Sequence, residues 1–299
     1  MVQVGELTVR LQPAGGEVAP AVKVIAGPVS PFGQRQIVLL IHGFANDQAT
    51  ACGSYQACVD NLTKLPPPAN TDLPSPFFKF YWPGDTRLHV FSDGSYPWEI
   101  SYATNSGKRL AEFLEGLAGP GGTPVQVHII AHSLGNRVAL EMLEACDATK
   151  GNVIFASFSL MAGAVPVKRV KDPAQLETAA HKPVRTQALF SPADRILQLA
   201  FPPGETASGD GFFPEAVGRF GNPPGVWSRS VQMSGYGHSD YWPGGAAMAD
   251  APVLASYLDV PVALPPPVNT IPVRALAAPM ELRTSILPQR SLPTRVIGS

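Results

Sequence analysis

The sequence predicts an α/β protein with a mostly parallel central sheet of about eight strands flanked by helices. Three observations lead there. Strand-length apolar or alternating runs recur along the chain with helical patterns or long loops between them, the order of a sheet built through right-handed crossovers. The run Gln36–Ile41 is almost wholly apolar, as in a strand covered on both faces. Residues 125–137 read as an apolar run, a tight turn holding Ser133 and the start of a helix.

Val2–Leu11 and Val18–Ile25 alternate polar with apolar residues and suit early strands at a sheet edge. Gln36–Ile41 follows as a central strand. Gln56–Leu65 has the composition of a helix, stopped by Pro66-Pro67-Pro68. Phe77–Trp82 is an aromatic strand. Leu110, Phe113, Leu114 and Leu117 have the spacing of an amphipathic helix, ended by Gly119-Pro120. Val125–Ile130 is the next strand, and Asn136–Cys146 holds strong helix formers and no proline. Val153–Met161, Val184–Phe190 and Val226–Met233 complete the strands. Gly204–Gly225 reads either as a rim or lid or as an ordinary surface loop.

From Pro261 the composition changes. Residues 261–299 hold eight prolines and four arginines against one glutamate, which predicts an extended or disordered tail suited to protein contacts. The expected division is a catalytic-size domain over 1–260 and this tail over 261–299. A formal net charge of −1 gives no support to nucleic-acid binding. Three cysteines are too few for a disulfide framework, although Cys52 and Cys58 are near enough in sequence to pair in an oxidising compartment. No cysteine/histidine cluster has zinc-ligand spacing. The amino terminus lacks the pattern of a secretory signal and no apolar run has the length of a membrane span, so a soluble, cytoplasmic protein is expected; signal-independent export stays open.

The chemistry gathers around Ser133. A serine in a sharp strand-to-helix turn exposes its hydroxyl, and the small neighbours Ala131 and Gly135 suit the bend. Such a hydroxyl needs a base, and the base an orienting acid. Of the six histidines, His128 lies inside a strand, His132 sits within the turn itself, and His89 and His181 lie in polar surroundings. His42 shapes the loop after the central strand. His238, in the glycine-rich loop Ser-Gly-Tyr-Gly-His-Ser-Asp-Tyr-Trp after the last strand, is the best base. Its structural alternative is a surface histidine bonded to Asp240. Asp194, just beyond the penultimate strand, is the best acid, with a helix N-cap as its alternative. Asp172 and Asp210 lie in loops with no strand end to hold them.

Ser133, Asp194 and His238 thus follow three different strands, at the carboxyl ends where ligand sites of parallel sheets form. Acyl transfer also needs donors for the developing oxyanion. The backbone N–H of Leu134 is one; the other is the N–H of Phe44 after Gly43, or of Ala45 if the loop is shifted by one. Among the aromatic residues, Phe77, Phe78, Phe80 and Tyr81 read as core, while Trp82, Tyr241 and Trp242 are candidates for a pocket wall.

Leu-Leu-Ile-His-Gly-Phe (39–44), Phe-Tyr-Trp-Pro-Gly-Asp (80–85), Ile-Ile-Ala-His-Ser-Leu-Gly-Asn-Arg (129–137), Ser-Pro-Ala-Asp-Arg-Ile-Leu (191–197) and Gly-His-Ser-Asp-Tyr-Trp (237–242) occur in order. The chain is similar over residues 35–258 to the α/β-hydrolases, in particular to bacterial serine esterases and lipases. The departure is Ala131 in place of the first glycine of the elbow pattern. The resemblance implies the α/β-hydrolase fold and hydrolysis of small-molecule or lipid carboxylic esters through an acyl-serine, without a cofactor or metal. A thioesterase, amidase or acyltransferase on the same fold remains an alternative, as does a non-catalytic hydrolase-like binding protein using the tail.

Overall fold

The apolar run after Gln36 forms the middle of the sheet because neither of its faces meets water. Strand β3 (Gln36–Ile41) is buried at every position beyond its first residue. It is flanked by β4 (Phe77–Tyr81), buried throughout, and β5 (Val125–His132). The computed structural model describes residues 2–25, 27–66, 73–74, 76–85, 96–221, 223–241 and 250–258. With β1 (Val4–Arg10), β2 (Val18–Ile25), β6 (Val153–Met161), β7 (Arg185–Phe190) and β8 (Arg229–Gln232), the sheet has eight strands in the order β2-β1-β4-β3-β5-β6-β7-β8. Only the β1–β2 pair is antiparallel. The predicted α/β class is the observed one.

The helices among the described residues are α1 (Gln48–Thr63), α2 (Tyr96–Glu115), α3 (Gly135–Ala145), α4 (Val167–Val170), α5 (Glu177–His181), α6 (Arg195–Leu199), α7 (Phe201–Ala207), α8 (Val217–Phe220) and α9 (Asp250–Leu258). One group, α1 with α9, covers β4 and β6; another, α2 with α3 and α5, lies against β2 and β5. α1 begins at Gln48 rather than at Gln56, because Asp47 caps it by accepting the Thr50 N–H at 2.8 Å. β8 is shorter than the apolar stretch Val226–Met233, whose Val226 and Trp227 are buried ahead of the strand.

Residues 204–225 are no featureless loop. They hold the end of α7 and all of α8, and Asp210 is clamped between Arg137 of α3 (2.9 Å) and Arg169 of α4 (2.5 Å). The chain divides into Met1–Leu264 and Pro265–Ser299. The expected tail at 261–299 lies outside the described residues, as do His89 and Trp242. Among the described residues no helix is long and apolar enough to cross a membrane. Cys52 and Cys58 are both free thiols.

Candidate active site

Ser133 stands between the end of β5 and the first turn of α3, with φ of +53°. A non-glycine residue in that region carries strain of order 1–3 kcal/mol and persists only where its surroundings hold it. Four hydrogen bonds do so. The Ser133 N–H donates to Met161 O (3.0 Å) and the Ala164 N–H to Ser133 O (3.1 Å). The Asn136 side-chain amide donates to both Ser133 O and Met161 O at 3.0 Å. The small residues flanking the turn have their reason in contacts: a Cβ on Gly135 would lie 2.7 Å from Ile41 O.

His238 and Asp194 meet this serine. Ser133 Oγ lies 2.8 Å from His238 Nε2, and His238 Nδ1 lies 2.8 Å from Asp194 Oδ2. With the acidic oxygen accepting from Nδ1–H, Nε2 presents its lone pair to the serine hydroxyl. The two readings of Asp194 turn out to be compatible. Its Oδ1 accepts the Leu197 N–H at 3.0 Å and so caps α6, while Oδ2 holds the imidazole. Asp240 is not the imidazole's partner; it accepts the Gly237 N–H at 2.7 Å and shapes the loop. Asp172 stabilises its own turn through Ala174 and Gln175.

The loop after β3 is pressed against the serine turn. A Cβ on Gly43 would come 2.7 Å from Ser133 Cβ. His42 is fully buried and held by four contacts. Its Nδ1–H donates to Gly43 O at 2.8 Å, its Nε2 accepts the Trp82 N–H at 3.3 Å, its N–H donates to Tyr55 Oη at 2.7 Å, and its carbonyl accepts Trp82 Nε1–H at 2.8 Å. Burial pulls its pKa down to about 3, so the ring is neutral and structural. Trp82 therefore does not line the pocket; it is fully buried and stacks on His42 with ring centres 5.5 Å apart. The Ala45 N–H donates to Gly84 O at 2.6 Å, which removes it as an alternative oxyanion donor. Phe44 lines the cleft beside Ser133, Leu134 and His238. Leu134 precedes α3 immediately, where an amide has no intrahelical acceptor.

Several side chains that sequence reasoning passed over support this arrangement. His132, read as part of the turn, donates from Nε2 to the backbone oxygen of His238 at 2.8 Å and so ties the loop of the imidazole to the serine turn. Burial first, and the neighbouring His238 second, hold it down to about 3. Arg137 also bonds Glu141 at 2.6 Å, and its pairing with Asp210 fixes residues 204–225 to α3. The signal in the sequence was polar residues on either side of Ser133 at positions expected to be buried. His128 is used within the sheet, its Nδ1 lying 2.9 Å from Ser157 Oγ. Tyr241 is buried against His132 and Tyr236 and forms no part of the cleft wall. Among the described residues no group of three or more His, Cys, Asp or Glu is arranged to hold a metal ion.

Comparisons place the chain in a family. The solved structure of MenH from S. aureus is 12% identical, covering 75% of this chain and 94% of its own, at a TM-score of 0.39. Zea mays acyl-protein thioesterase 2 is 14% identical, with 76% and 95% covered and a TM-score of 0.38. LpqC, a poly(3-hydroxybutyrate) depolymerase from Bordetella parapertussis, is 13% identical, with 75% and 80% covered and a TM-score of 0.37. No curated protein matches the sequence. Residues 22–202, more than half of the chain, match the model of the family described as alpha/beta hydrolase of unknown function (DUF900), and the protein belongs to that family.

Proposed function

We propose that this α/β-hydrolase cleaves carboxylic esters through an acyl-serine intermediate. The observation that carries the reading is the continuous relay Asp194–His238–Ser133, with both contacts at 2.8 Å. In the first half-reaction His238 Nε2 takes the hydroxyl proton as Ser133 Oγ bonds to the ester carbonyl carbon. Negative charge moves to the carbonyl oxygen, for which we assign the Leu134 and Phe44 N–H groups as donors. Asp194 holds the ring in the tautomer that accepts at Nε2 and stabilises the imidazolium. The proton then passes to the leaving alkoxide as the C–O bond breaks. In the second half-reaction His238 deprotonates water, which attacks the acyl-serine and releases the acid.

His132 has a positioning role in this scheme. It stays neutral while His238 becomes cationic, so its Nε2–H remains available to the His238 carbonyl throughout the cycle. The decisive test is Ser133→Ala, assayed on p-nitrophenyl esters and with a fluorophosphonate probe. Turnover and labelling both disappear with the fold intact if the reading is right; hydrolysis retained by the variant refutes it.

A further inference from the structure

The space beside Ser133 Oγ is small, and among the described residues its walls outside the relay are apolar. Phe44, Leu134, Ala164, Ile196, Leu197 and Phe201 enclose it. Its free volume, open mouth included, is about 220 Å³. The room its walls leave to a water-sized group is about 10 Å³, enough for about one such group. The reacting carbonyl takes that place, so each further acyl carbon crowds a wall.

The walls have little freedom to retreat. Leu134, Phe201, Leu197 and Ala164 are 0%, 1%, 2% and 5% exposed and are backed by the close-packed core. Ala164 is fixed further by its N–H bond to Ser133 O at 3.1 Å. Leu197 sits on the helix that Asp194 caps, so the acid of the relay also locates the wall. Ile196, at 37% exposure, and the half-buried Phe44 are the wall residues open to solvent. Among the described wall residues outside the relay no side chain offers a cation or anion, so an ionised acyl group would lose its hydration there without a partner.

We propose that the protein acts on esters of short, uncharged acyl groups, and that Phe201 and Leu197 limit their length. This rests on the serine-hydrolase reading above. The test measures kcat/KM of the full chain on p-nitrophenyl acetate, butyrate, octanoate and laurate, with fluorophosphonate labelling of Ser133 in parallel. The expected profile peaks at acetate or butyrate and drops about tenfold or more at octanoate, the scale of an overpacked site. Phe201→Ala moves the peak toward octanoate. Ala164→Leu, which fills the cleft from another wall, confines turnover to acetate and serves if the first variant does not fold. A wild-type peak at octanoate or laurate overturns the proposal, as does an unchanged profile in the folded variants. Labelling of Ser133 without turnover of any of the esters overturns the substrate class and leaves the nucleophile standing; loss of both removes the reading and the proposal together.

Discussion

Gly43→Ala is the most economical probe of how the loop after β3 meets the serine turn. The added Cβ would stand 2.7 Å from Ser133 Cβ, 3.1 Å from His132 Nδ1 and 3.2 Å from His132 O. Carbon atoms rest at about 3.5–4.0 Å, so loop and turn must part by roughly 0.8 Å or more. The strain costs about 1–3 kcal/mol of stability, the usual range for an overfilled core site. The catalytic cost is of similar size. A displacement near 1 Å lowers turnover by about a hundredfold, or about 2.7 kcal/mol of barrier. Thermal melting and kcat/KM on a short-chain p-nitrophenyl ester measure the two effects separately. Gly53→Ala is the control, because Gly53 lies within α1 with nothing inside 4 Å of the new methyl group. That change should add up to about 1 kcal/mol of stability and leave turnover alone. Wild-type activity and melting temperature in Gly43→Ala would refute the described contact and the placement of Phe44 that depends on it.

Further outcomes follow from the same geometry. His132→Phe removes the bond to the His238 carbonyl; losing a buried hydrogen bond costs roughly 1–3 kcal/mol, so kcat should fall with KM little changed, and His132→Gln should recover part of the loss if it restores the donor. Asp210→Asn leaves Arg137, only 4% exposed, with Glu141 as its remaining counter-charge; the lost charged hydrogen bond costs about 1.5–3 kcal/mol, and protease cleavage within 204–225 should accelerate. Burial holds His42 and His132 down to about 3 and His128 to about 4, from an ordinary 6.5. The unfolded chain therefore binds more protons below that value, and stability drops as pH falls, by at most about 1.4 kcal/mol per pH unit per histidine. Glu99 acts oppositely: burial raises its carboxyl from 4.5 to about 8, so stability also declines as pH rises through that interval. Burial likewise raises the Asp250 carboxyl from 3.8 to about 6. With three histidines against these two carboxyls, melting temperature should fall gently below about pH 6, more steeply below about pH 4.5, and gently above about pH 7; a profile flat from neutral pH into acid would contradict neutral burial of the histidines.

The parts of the site that were legible in the sequence are those whose local pattern is itself the cause. The apolar run to Ala131, the small residues around Ser133 and the helix formers after Gly135 read as a strand, a tight turn and a helix, which are the observed β5, turn and α3. Ser133, Asp194 and His238 could be nominated because each follows a strand, and parallel strands end together. Roles that depend on a distant partner were not legible. Trp82, at a strand end, reads equally as pocket wall or core, and only the buried His42 ring beneath it decides for core. Ala45 was open as a donor until Gly84 O took its N–H. Asp210 had no strand end to recommend it, and its two arginines lie 73 and 41 residues away.

By itself, the sequence determined the order and type of the strands, the class of the fold and the turn that lifts Ser133, since these arise from side-chain periodicity and from backbone sterics acting over a few residues. The tertiary structure alone decided that Ala45 gives its N–H to Gly84, which histidine is bonded to the backbone of His238 and which side chains wall the cleft. Those depend on separations of a fraction of an ångström between segments far apart in the chain, and packing, not local propensity, sets them.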